Sequence, residues 1–137
     1  MEIKIINTIT TSKAILELHQ SKLVVVRVTQ NGMLDAPDLQ EMFDAQIKLT
    51  GKIKSVVVVV LMDDNDITTE ARNIIFSEEM TQYSLKEIYV VKSYIQKILA
   101  DFYTIFNKTP VPVYTFTKEE PAILMGTRLA IQHNHNS

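Results

Sequence analysis

A length of 137 residues suits one domain and leaves no room for two, and 46% hydrophobic against 22% charged residues supplies a proper core, which excludes a disordered chain. A formal net charge of −2, with no cluster of Lys or Arg, removes a bulk electrostatic case for nucleic acid or an anionic membrane. Zero Cys excludes disulfides, thiolate metal sites and cysteine nucleophiles. No apolar run approaches the roughly 20 residues of a membrane-spanning helix, and Met1–Glu2–Ile3–Lys4–Ile5 lacks the layout of a signal peptide, so a cytoplasmic protein is expected.

In chain order, Ile3, Ile5 and Ile9 lie in a β-prone segment, and Ala14–Leu18 follows with strand character. Gln20–Ser21 reads as a tight turn into Lys22–Thr29, which makes a hairpin. Asp35 or Asp38 can cap a first helix with Pro37 in its opening turn. Leu39, Met42, Phe43, Ile47 and Leu49 form its apolar stripe, and Gly51 closes it.

Ser55–Met62 carries five consecutive valines without alternation, the mark of a strand buried on both faces at the centre of a parallel or mixed sheet. A second helix is expected from Asp66 or Thr68 to about Gln82, carrying Ala71, Ile74 and Ile75 inward. Leu85–Val91 reads as a strand, with Ser93 placed to cap an amphipathic helix through Ile95, Ile98, Leu99, Phe102, Ile105 and Phe106. Val111–Phe116 is the last strand. Thr117–Glu120 resembles a capping box for a final helix, in which Pro121 falls one residue too late to be free of cost. The residues thus read β, β, β, α, β, α, β, α, β, α: one α/β domain over 1–137, with 132–137 expected to fray.

The chemistry-bearing residues gather after the valine run, where open α/β sheets place their sites. Asp63, Asp64 and Asp66 could hold Mg²⁺ or include a phosphoacceptor, but the acidic residues a phosphoacceptor site needs after its first parallel strand are replaced by Thr29–Gln30–Asn31. The plainer reading is a solvated loop and helix N-cap. Thr68 and Thr69 suit a phosphorylation switch at a helix start, and equally suit ordinary capping. Arg72, one turn on, could hold an anion or simply form an ion pair. His133 and His135 lack a third metal ligand, no Gly-rich phosphate loop exists, and no nucleophile elbow holds a Ser. Neither a metal nor a cofactor is expected, nor an enzyme. The aromatic side of the third helix (Tyr94, Phe102, Tyr103, Phe106) could line an apolar pocket or a dimer face, with core packing the plainer role.

Val60–Leu61–Met62–Asp63 with Ile67–Thr68–Thr69–Glu70–Ala71–Arg72, Ile88–Val91, Phe106–Val113 and Phe116–Thr117–Lys118–Glu119–Glu120–Pro121–Ala122 together resemble the bacterial STAS-like, SpoIIAA-like domains often labelled STAS/SEC14. That resemblance covers roughly 22–126. It implies an α/β fold with a mixed sheet of four to five strands and about four helices, mainly on one side. It also implies a non-enzymatic regulatory module whose switch is a Ser or Thr at the start of the helix after the central strand, about where Thr68 and Thr69 stand. The antagonists' Asp–Ser–x–Gly signature is absent, and Met125–Gly126 stands where relatives tend to carry Trp–Leu. The expectation is therefore a module that engages a protein partner through Asp63, Asp64, Asp66, Thr68, Thr69 and Arg72. The alternative is a SEC14-like binder of a small apolar ligand or lipid; a Mg²⁺-dependent enzyme at Asp63 and Asp64 is the third reading, and a homodimer is compatible with all of them.

Overall fold

The computed structural model describes residues 3–93, 96–98, 101 and 109–136. Six strands form one mixed sheet in the order β1 (Ile5–Thr10), β2 (Ala14–His19), β3 (Val24–Val28), β5 (Ser55–Val60), β7 (Ser84–Val90) and β8 (Val113–Phe116). The first three run antiparallel to one another, and β3, β5, β7 and β8 are parallel. The six strands match the order read from the residues, and the sheet has one strand more than the four to five that the resemblance implies, because Ile5–Thr10 pairs along β2 as an added edge. A two-residue parallel pair, β4 (Met33–Leu34) with β6 (Asp66–Ile67), stands apart from it.

The valine run is central, as its pattern requires. Val57 packs toward one layer with Leu16, Val24, Val26 and Met42, whereas Val56, Val58 and Val60 pack toward the other with Leu23, Val25, Ile88 and Ala122. Period-two alternation is hidden in the sequence because both faces are covered. Helix α1 (Ala36–Thr50) covers the first face. Asp35 caps it in a reciprocal box with Asp38, and Gly51 ends it in the left-handed conformation at φ 66°.

The long helix expected to reach Gln82 is instead two short ones, α2 (Thr69–Ile74) and α3 (Glu78–Thr81). Ser77 restarts the helix: its hydroxyl accepts from the Met80 amide at 3.1 Å, as an N-cap does. The break lets Phe76 meet Tyr89 edge-on, with ring centroids 5.5 Å apart. Helices α1–α3 thus share one face, and α4 (Glu119–Asn136) covers the other.

Helix α4 begins later than the Thr117 capping box predicts. Pro121 is therefore its third residue, where the missing amide has no intrahelical acceptor to lose. The helix also runs on through the stretch expected to fray, and Asn134 donates to the Ser21 carbonyl at 3.0 Å. Ser93 caps as expected, accepting from the Gln96 amide at 3.0 Å. The aromatic face at Tyr94, Phe102, Tyr103 and Phe106 lies outside the described residues. No described helix is long and apolar enough to cross a membrane.

Candidate functional site

Parallel pairing stacks side chains of the α1–α3 face in rows. Val24, Val57, Glu87 and Val113 make one row, and Val26, Val59, Tyr89 and Thr115 make the next. Above these rows the sheet and helices border a cavity of about 570 Å³ that opens to solvent. Its walls are largely aliphatic and aromatic: Leu39, Met42 and Phe43 from α1, Ile75, Phe76 and Met80 from the α2–α3 segment, and Val57, Val59 and Val91 from the sheet side. This volume lies within the roughly 300–1,000 Å³ typical of small-molecule pockets.

The rim is the loop singled out by sequence. Asp63, Asp64, Asp66 and Arg72 line the cavity, and Arg72 pairs with Asp66 at 3.8 Å across two exposed side chains. Such an exposed pair contributes little to stability. Thr68 is not on the rim: its hydroxyl accepts from the Ala71 amide at 3.1 Å and caps α2. Thr69 is exposed at the first helical position. The structure therefore joins the three aspartates and Arg72 around one opening, and leaves the threonines beside it.

Sequence reasoning passed over the residue that shapes the loop. Asn65, buried amid the aspartates, accepts from the Met62 amide at 2.7 Å and donates to the carbonyls of Gln30 at 2.8 Å and Gly32 at 3.0 Å. Gln96 closes the other side, donating to the carbonyls of Asn65, Met62 and Asp63. Two amides thus replace the hydrogen bonds that irregular backbone would otherwise lack.

The floor was missed as well. Glu87 is buried on β7 and accepts from the Ser84 hydroxyl at 2.8 Å and the Tyr89 hydroxyl at 3.0 Å. Burial pushes the Glu87 carboxyl above its ordinary value, against the opposing pull of those two hydroxyls. Tyr89 is raised well above its usual range by burial, and then by the adjoining carboxylate. The available signal was the Glu87–x–Tyr89 spacing, which sets both side chains on one face of a strand.

A second polar group lies on the α4 face. His19, buried, meets Glu17 at 3.0 Å, Glu17 pairs with Arg27 at 3.1 Å, and Arg27 reaches Glu119 at the start of α4. This chain ties the hairpin to the last helix. Among the described residues, no three His, Cys, Asp or Glu side chains are grouped to hold a metal ion.

A model of a domain of unknown function, DUF7793, matches residues 16–124, and the chain belongs to that family. Among solved structures, the chain is similar to an uncharacterized protein of the DUF3478 family with a SpoIIAA-like fold from Shewanella loihica PV-4. The two share 12% identity at a TM-score of 0.57, over 92% of this chain and 96% of that one. The fold is accordingly SpoIIAA-like. No curated protein matches the sequence.

Proposed function

We propose that this domain is a non-enzymatic binding module that takes a small apolar ligand between its sheet and helices α1–α3. The observation that carries the reading is the 570 Å³ cavity, whose walls below a charged rim are largely apolar. Apolar walls of that extent gain free energy by meeting an apolar body in place of water. The SpoIIAA-like fold is compatible with such a role but does not specify it. Native mass spectrometry of the purified protein, together with thermal melts in n-decanol, tests the reading. The expected result is bound apolar material or a raised melting temperature, abolished by Val59→Phe, which fills the cavity from the sheet side. The absence of both a mass increment and a shift with decanol would overturn it.

A second reading is a protein partner docking on the rim, favoured by the exposure of Asp63, Asp64, Asp66 and Thr69. Because the Thr68 hydroxyl serves as the helix cap, Thr69 is the better placed of the two for modification. Charge reversal at Asp63 and Asp64, or Thr69→Glu, should then change which proteins are retained in a pull-down. An unchanged set would argue against docking there.

A further inference from the structure

The cavity has a chemical polarity that its apolar walls conceal. Its described lining holds four carboxyl groups, Asp63, Asp64 and Asp66 at the rim and Glu87 on the floor, against the single guanidinium of Arg72. That guanidinium already faces Asp66 at 3.8 Å. An anionic head group entering here would meet like charge at both ends, screened by solvent at the exposed rim and strengthened by the low dielectric around buried Glu87. Glu87 is different from the rim acids because it is buried and aimed by its neighbours. Ser84 donates to one carboxylate oxygen and Tyr89 to the other. Each oxygen retains a lone pair, so the group can still accept from a ligand.

Resting on the apolar-ligand reading, we infer that the cavity selects an apolar molecule with a protonated amine at its polar end, and that Glu87 receives that amine. Val57 and Val113 flank Glu87 in its row and line the cavity with it, so the hydrocarbon packs on valines while the head group reaches the carboxylate. Taking up the cation also relieves the burial of a lone negative charge. A neutral alcohol can donate to the same oxygen, but without the charge. A carboxylate-headed chain cannot donate and is repelled.

Isothermal titration of the purified full chain at pH 7, below micelle concentrations, compares n-decylamine, n-decanol and decanoate. The amine should bind roughly ten- to hundredfold tighter than the alcohol, the range expected for a hydrogen bond that gains charge. Decanoate should bind weakest. Glu87→Gln should lower the amine to the affinity that decanol has for the same variant. Equal affinities for the three, a preference for decanoate, or an amine preference that survives Glu87→Gln would overturn the inference while leaving an apolar site in place. Absence of binding by all three overturns the apolar-ligand reading itself. Should Glu87→Gln fail to fold, Tyr89→Phe frees one carboxylate oxygen and should keep or widen the amine preference; a narrowed preference contradicts the assignment.

Discussion

Gly126 offers the sharpest test of the packing, because two known effects of replacing it by alanine have opposite signs. In a helix interior Ala is favoured over Gly by about 1 kcal/mol, so on local grounds Gly126→Ala should stabilise α4. The tertiary surroundings oppose that gain. A Cβ at position 126 would lie 2.8 Å from Leu23 Cδ1 and 2.9 Å from Val58 Cγ2, both inside contact distance. Leu23 and Val58 are fully buried, and Val58 is held between Val25 and Ile88 in the middle of the sheet. A β-branched side chain there has little rotamer freedom to move away. Overpacking of this kind costs about 1–3 kcal/mol, which exceeds the propensity gain. The expected net loss is about 1 kcal/mol, or roughly 3–5 °C in melting temperature for a chain of this size. Urea denaturation of wild type, Gly126→Ala, Leu23→Ala and the double variant closes the cycle. In the Leu23→Ala background only the clash with Val58 remains, so the same change should cost less than in wild type, with a coupling of about 1 kcal/mol. A gain of about 1 kcal/mol in both backgrounds would refute the close approach of α4 to the sheet.

Two further outcomes follow from the cavity and its rim. Burial holds the Glu87 carboxyl above its ordinary value, so the folded state binds more protons than the unfolded one between the unfolded and folded pKa values. The associated stability is present below the unfolded value and is lost as pH rises through the folded one. Glu87→Gln should therefore be relatively more stable at pH 7–8 than at pH 4; a difference from wild type that is the same across chemical melts at those pH values would contradict the burial argument. Asn65→Ala leaves the Met62 amide and the Gln30 carbonyl without this partner and the Gly32 carbonyl with the Asp66 amide alone, and should cost about 2–3 kcal/mol by urea denaturation. A loss below about 1 kcal/mol would mean the loop is shaped by something else.

The parts of the fold that could be read in advance are those fixed by local chemistry. Asp35, Pro37 and Gly51 delimit α1 by capping and backbone geometry, which need no tertiary knowledge. The valine run could be placed at the centre because covering both faces removes alternation. The break at Ser77 was not legible, since Ser in a helical stretch is unremarkable until its hydroxyl takes an amide and Phe76 finds Tyr89. Half of the candidate site was legible for a topological reason: the rim at Asp63–Arg72 follows the carboxyl end of a parallel strand. Asn65 was hidden in an acidic run that reads as solvated loop. Glu87 was hidden by register, because which strand face looks onto a cavity depends on helices distant in sequence.

The two faces of the central strands explain why a site lies on one side only. Val58 and Ile88 point to α4, where Gly126 brings the helix so close that even a methyl group is excluded. Val57, Val59, Glu87 and Tyr89 are their immediate neighbours along the same strands, yet they look onto a 570 Å³ cavity. Strand composition cannot account for this contrast, since the β5 run is valine on both faces. The helices account for it. Helix α4 is a long element seated on the sheet by a glycine, while among the described residues the other face is covered mainly by α1 and the broken pair α2–α3. A domain of this size has little stability to spare for a loosely filled face. A cavity beside a sealed face, with a buried carboxyl held by two hydroxyls, is why the proposed ligand is placed on the α1–α3 side of the sheet.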